Sequence, residues 1–208
     1  LGWSMGEDRE FFGKDEMAQH FEISRVNPNP ARFDLKKCTA INGDWIRFLP
    51  EDEIARRLVP YLQRDGVLPA EPTAEQLAVL AEVVPLIHTR MDTLTQASGM
   101  ISFLFVTDQE FAVDPDDAAK IMKGDAPAVV ATALQALSDL PEWTIESIEQ
   151  ALRTSLIDEL GLKPKLAFGP VRLAITGRRI SPPLFESMDL LGRERSLARL
   201  AAVAGATT

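Results

Sequence analysis

Apolar residues recur at helical spacing along nearly the whole chain, and no convincing alternation of apolar and polar positions marks a strand pair. Thr73 with Gln76 forms a capping box, after which Leu77, Leu80, Val84 and Ile87 repeat on one helical face; Pro85 is expected to kink or split that helix. Ile145, Ile148, Leu152, Leu156 and Leu160 line one side of a second long helix over 144–160. Acids follow Pro50, as the macrodipole of a helix start prefers, and Gly66 ends that helix. Asp114-Pro115-Asp116-Asp117 supplies a cap, a first-turn proline and acids for a helix running to residue 122. Further helices are predicted over 15–21, 34–48, 126–140, 165–174, 182–191 and 193–203, with a brief extended piece at 22–26 and a break at Asn27-Pro28-Asn29-Pro30. The apolar stretch 93–106 is a buried element of ambiguous type, Phe103 to Val106 reading as strand or helix end. The predicted fold class is all-α, with no internal repeat.

The linker at 66–72, with Pro69 and Pro72, divides the chain into a small helical unit, 1–70, and a larger one, 71–208. A length of 208 residues allows one or two domains, and 46% hydrophobic with 25% charged residues gives no sign of disorder. One cysteine excludes an internal disulfide and fits a reducing compartment. No signal peptide is visible and no run approaches the roughly 20 apolar residues of a membrane span, so the expectation is a cytoplasmic protein.

Net charge changes the picture only once its distribution is seen. The total of −9 argues against a nucleic-acid partner, yet residues 163–208 carry eight Lys/Arg against three acids while residues 1–162 carry 28 acids against 14 bases. An acidic body with a basic end can hold a phosphate backbone locally and repel it elsewhere. A solvated basic terminal helix explains the same charge.

Candidate chemistry concentrates in Gly169-Pro170-Val171-Arg172-Leu173-Ala174-Ile175-Thr176-Gly177 and the following Arg178-Arg179-Ile180-Ser181-Pro182-Pro183-Leu184. A lone arginine lies in an otherwise apolar helix that ends at glycine, two more cations follow, and Ser181-Pro182 reads as the cap and first residue of the next helix. Such a corner suits anionic or planar ligands. The plainer readings are that Arg172 lays its stem along its own helix and that Ser181 only caps. Arg90 lies beside Asp92, with which it could form a local ion pair. His20, His88 and Cys38 lack metal-ligand spacing, no Ser/His/Asp grouping stands out, and Trp3, Trp45 and Trp143 are expected in packing roles.

The 169–177 segment resembles the Pro-Leu-Arg-x-Ala-Leu-Thr-Gly stretch of bacterial glutamyl-tRNA synthetases. Other pieces match that family in order: Leu1-Gly2-Trp3, Phe33-Asp34 with Lys37, Ile41-Asn42-Gly43, Trp45-Ile46, the 88–94 segment with Arg90 and Thr93-Leu94, and Leu190-Leu191-Gly192-Arg193-Glu194-Arg195. Cys38 and Ala40 stand where the family usually has Leu and Trp, and Arg178-Arg179-Ile180 replaces a linker that varies within it. The family's His-Ile-Gly-His and Lys-x-Ser-Lys-Arg type signatures are absent, and the chain begins at Leu1, so a C-terminal fragment without the catalytic core is expected.

The resemblance implies a stem-contact region at 1–70 and a helical anticodon-binding domain at 71–208, divided again into 71–141 and 142–208. It implies that Arg90 and Arg172 contact anticodon bases and that Ser181, Pro182 and Leu184 form the pocket for the middle base. Arg178, Arg179, Arg193 and Arg195 are expected to bind the tRNA, Arg193 and Arg195 through its phosphates. The implied partners are tRNA(Glu), with tRNA(Gln) left open, and the N-terminal catalytic domain; no membrane partner is expected. No cofactor or metal is expected in the fragment, while ATP and Mg²⁺ belong to the parent enzyme. The alternative is a non-enzymatic scaffold or DNA-binding protein in which 182–191 and 193–203 form a helix-turn-helix.

Overall fold

The structure, a computed structural model, describes residues 2–6, 9–29 and 32–205; Leu1 and Pro30, both used above, lie outside them. Among the described residues every regular element is helical. The first part holds α1 (Lys14–His20), α2 (Leu35–Phe48) and α3 (Glu51–Arg64). The piece at 22–26 is not extended: Ile23–Arg25 forms one 3-10 turn, with Arg25 N donating to Glu22 O at 3.0 Å. With no strand alongside, a local turn is what satisfies that backbone. Asp34 caps α2, its carboxylate accepting from Lys37 N at 3.1 Å.

The capping box at Thr73 and Gln76 is present at the start of α4 (Ala74–Ile87). Pro85 does not split α4, because it lies in the last turn; the chain tightens just beyond it into a 3-10 turn, His88–Arg90. The ambiguous stretch resolves as helix α5 (Ala97–Phe105). Then follow α6 (Pro115–Ile121), capped by Asp114, α7 (Ala126–Ser138) and α8 (Ile145–Arg153). The helix predicted over 144–160 widens after Arg153 into a π-helical segment, Thr154–Glu159. The chain closes with α9 (Pro164–Thr176), α10 (Leu184–Leu191) and α11 (Arg193–Gly205).

Packing follows the apolar stripes. Ile54, Leu58 and Leu62 of α3 are fully buried, and α3 lies on α4 and α5. α7 packs against α9 and α11, α8 against α10, and α5 reaches α9. One apolar core therefore runs from Ile46 through Leu58, Ile87 and Ile101 to Leu137, Val171 and Leu200. Packing does not break at residue 70, since the stripe of α3 is buried on elements beyond it; nor does it break near 141, since α7 belongs with α9 and α11. The visible seam lies between α3–α5 and α6–α11.

Two arginines of α11 close that seam. Arg199 is 3% exposed; it donates to Phe103 O at 2.9 Å and Ile175 O at 2.7 Å, and stacks 3.7 Å from the centroid of the Phe111 ring. Arg195 donates to Leu104 O at 3.3 Å and Val106 O at 2.5 Å, and pairs with Asp108 at 3.2 Å. Phe103 and Leu104 belong to the last turn of α5 and Ile175 to that of α9, where carbonyls have no partner within their helix, so the guanidinium groups satisfy them. Burial pushes Arg199 down to about 10, with Arg195 acting the same way and Asp108 opposing, so it remains a cation at neutral pH.

Candidate nucleic-acid interface

The corner between α9 and α10 is built on Gly177. Its φ of +71° ends α9 in the left-handed conformation, with Gly177 N donating to Leu173 O at 2.9 Å. A Cβ there would lie 2.7 Å from Ala112 O. Gly177 O also accepts from Asp114 N at 2.9 Å, so the end of α9 docks on the start of α6. Arg178 pairs with Asp114, and Asp117 Oδ2 accepts from Arg179 N at 2.9 Å. The amide of Asp117 holds the Asp114 carboxyl below the usual carboxylate range, and Arg178 acts in the same direction.

The next helix does not begin at Ser181. α10 starts at Leu184, after Pro183, and no side chain caps it; the buried Ser181 hydroxyl donates to Pro182 O at 3.0 Å instead. Three prolyl and pre-prolyl positions in a row favour extended backbone, which delays the helix to Leu184. The loop thereby points two successive carbonyls at cations. Arg90 Nη1 donates to Ser181 O at 3.4 Å and Arg172 Nη1 to Pro182 O at 3.3 Å.

Arg90 reaches the corner from the other side of the seam, through the 3-10 turn after α4. It does not pair with Asp92, which faces Arg47 at 3.4 Å. Each guanidinium spends one of its five donors on a long bond, leaving the others unpaired. Burial pushes Arg172 below its ordinary value, the positive charge of Arg90 adds to this, and Glu186 opposes it. The two cations are thus close enough to repel. A ligand rich in acceptors would relieve both desolvation and repulsion.

Arg90, Arg172, Ser181, Pro182 and the buried Leu184 therefore converge. The other expected contacts do not join them. Arg178 and Arg179 turn to the acids of α6, Arg193 donates to Ser138 O at 2.9 Å, and Arg195 is spent on the end of α5. Side chains that the sequence analysis did not single out stand at the corner as well. Phe168, one turn before Arg172, meets Phe185 edge to face at 5.5 Å, and Arg153 lies 5.8 Å from the Phe168 ring. Glu186 Oε2 is buried without a hydrogen-bond donor. The spacing of Phe168 and Arg172 was the available signal; nothing in the spacing of Glu186 distinguishes it from an ordinary first-turn acid.

Around this corner the remaining candidates are structural. His88 is buried, its Nε2 2.6 Å from Ile46 O, and Trp143 Nε1 donates to Met188 O at 3.2 Å. Asn42 of α2 donates to Asp92 O at 2.6 Å, and Gly43 lies so close to Asp92 that a Cβ would meet its carboxylate at 2.5 Å. The Ile41-Asn42-Gly43 run therefore docks α2 on the segment that carries Arg90.

Fold and corner together define an all-α domain that presents two guanidinium groups across a seam between helical layers. The chain belongs to the anticodon-binding domain family: a sequence model described as "Anticodon binding domain" matches residues 53–204. It is 55% identical over 205 residues to the glutamate–tRNA ligase of Saccharopolyspora erythraea, spanning 99% of this chain and 41% of that protein. It is also 49% identical to the glutamate–tRNA ligase of Clavibacter sepedonicus, over 99% of this chain and 41% of that protein. The part matched is the C-terminal region of these ligases. Among solved structures, a glutamate tRNA ligase from Elizabethkingia meningosepticum, crystallised with its amino acid, superposes with a TM-score of 0.78 at 20% identity, over 100% of this chain and 39% of that one, which is a likeness of fold.

Proposed function

We propose that this chain is the tRNA-recognition portion of a glutamate–tRNA ligase and that the corner reads unpaired anticodon bases. The observation that carries this reading is the pair of under-bonded guanidinium groups, Arg90 and Arg172, brought from two sides of the seam onto successive carbonyls. A guanidinium stacks on a base face and bonds its edge with a fixed fork, and splayed-out loop bases offer both. Ser181, Pro182 and Leu184 supply the wall of the pocket beside them. The natural partner is tRNA(Glu); whether tRNA(Gln) is also accepted depends on how tightly the last anticodon base is held at Arg90.

The parent reaction attaches glutamate to tRNA with ATP and Mg²⁺. Among the described residues no group of three or more His, Cys, Asp and Glu side chains is placed to hold a metal ion. The chain spans 41% of the curated relatives quoted, and the adenylate chemistry is assigned to the rest of the parent. Ile23 (77% exposed), Leu35 (71%) and Phe48 (67%) are large apolar residues bared in the first 48 positions, the part of the chain proposed to adjoin that catalytic part. No helix among the described residues is long and apolar enough to cross a membrane, and a cytoplasmic location fits the proposed reaction.

The helix-turn-helix alternative has less support. α11 buries Ser196, Arg199 and Leu200 and commits its arginines to carbonyls, leaving no base-reading face on the second helix. Gel shifts with tRNA(Glu) and with duplex DNA test the choice. Preference for the tRNA is expected; preference for duplex DNA would overturn the reading.

A further inference from the structure

If the four arginines expected to bind tRNA beside Arg90 and Arg172 are tied up internally, the positive charge available to a nucleic-acid backbone must lie elsewhere. Five of the eight cations of the basic end, Arg178, Arg179, Arg193, Arg195 and Arg199, each have an acid or a backbone carbonyl against them. Lysines behave differently. Lys120 at the end of α6, Lys123 just after it and Lys165 in the first turn of α9 are exposed, and among the described residues none of the three side chains has a hydrogen-bond or ion-pair partner. Lys120 acts on Asp114 only through space.

These three lysines rim one cavity of about 240 Å³ whose floor is apolar, formed by Ile121, Val129 and Leu162 among others, with Asp125 as the one acid at its edge. In a chain of net charge −9, three unpartnered cations around one concavity are a local reversal of the field. The cavity also lies close to the corner along α9. Lys165 and Arg172 are seven residues apart on α9, hence within about 20° on the same face and roughly 10 Å apart along the axis. Phe168 lies between them on that side, and a Cβ built on Gly169 would lie 3.8 Å from the side chain of Ile121 at the cavity wall.

We propose that Lys120, Lys123 and Lys165 form a phosphate-contact patch that holds the sugar–phosphate backbone of the RNA strand leaving the corner. This rests on the anticodon-reading assignment and extends it. The lysines supply mobile point charges for phosphates, while the apolar floor takes a ribose or a base face. Such contacts carry affinity and register but no sequence information, because every nucleotide presents the same phosphate.

The test is a binding titration of the 208-residue chain with tRNA(Glu) and anticodon-substituted versions of it, over a salt series. Replacing all three lysines with Gln (K120Q/K123Q/K165Q) should weaken binding to every tRNA by the same factor. It should also reduce the slope of log K against log[salt] by about 2–3, close to one per lost contact. Because the three side chains have no internal partners, thermal unfolding should be unchanged, and the three single variants provide the same reading at about one unit each. The arginine triple, K120R/K123R/K165R, should keep the wild-type slope. A folded Gln triple with the wild-type salt slope overturns the patch, whatever else the cavity then binds. So does a Gln triple that changes the ratio between anticodons, which would place the lysines on bases. If the wild-type chain itself shows no anticodon preference, the underlying functional reading fails instead.

Discussion

Gly177 shows how much can rest on one position. Its φ of +71° and the 2.7 Å approach of Ala112 O to a notional Cβ both exclude a side chain. Gly177→Ala should therefore cost about 1–3 kcal/mol, read as a lowered denaturant midpoint. Arg90 and Arg172 divide differently. Arg90 is exposed with one long hydrogen bond, so Arg90→Gln should leave stability alone and change the preference for the last anticodon base more than overall affinity. Losing a bidentate base contact corresponds to about 1–3 kcal/mol of discrimination, by analogy with base edges in DNA. Arg172 is half-buried, so Arg172→Ala should lower both discrimination and the melting temperature; measuring the two together separates readout from packing. Unaltered discrimination in both folded variants would remove the corner from the account. Arg172 was legible in the sequence as a lone charge in an apolar helix. Its repulsion by Arg90 was not, since the two lie far apart along the chain and meet only through the seam.

At the scale of elements, the sequence showed helix starts better than their partners. The caps read at Thr73 and Asp114 are side-chain events within three residues, and both are formed; Asp34 and Thr144, read only as the first residues of helices, cap in the same way. The start of α10 was misread because a serine before proline has the same local chemistry whether it caps a helix or turns back on the next carbonyl, as Ser181 does. The basic character of α11 was equally ambiguous. Charge alone could not say that Arg195 meets Leu104, Val106 and Asp108, partners some 90 residues distant. Arg195→Gln should consequently lower the melting temperature and leave the salt dependence of tRNA binding nearly unchanged, the opposite of a phosphate contact. The docking of the corner on α6 carries a pH signature. The Asp114 carboxyl is held below its ordinary value, so its contribution is present above that value and is lost as pH falls through the lower folded value. Acidification below about pH 4 should release the 178–180 loop, seen as loss of amide protection at Gly177 and Arg179 before global unfolding. Protection that persists until the whole chain unfolds would contradict this.

For the whole molecule, helical periodicity and the absence of strand patterning made the fold class legible, while the actual layering was not. The packing of α7 with α9 and α11 depends on long-range contacts that no local spacing encodes. Charge told a similar half of the story: an acidic body with a basic end was evident, but which cations remain unpartnered emerged only from the ion pairs. On the proposed function, this chain alone should give background rates of glutamate-dependent ATP–pyrophosphate exchange, with or without tRNA; clear exchange would mean that catalytic groups lie within it. The central claim is that the seam holding Arg90 and Arg172 reads anticodon bases. The most direct measurement is the affinity of the wild-type chain for tRNA(Glu) and for three versions of it, each changed at one anticodon base. The account predicts losses of about 5- to 150-fold for at least one of the three, as expected for about 1–3 kcal/mol per misread base. Equal affinity for all four RNAs, at a salt concentration where binding is well above background, would contradict it.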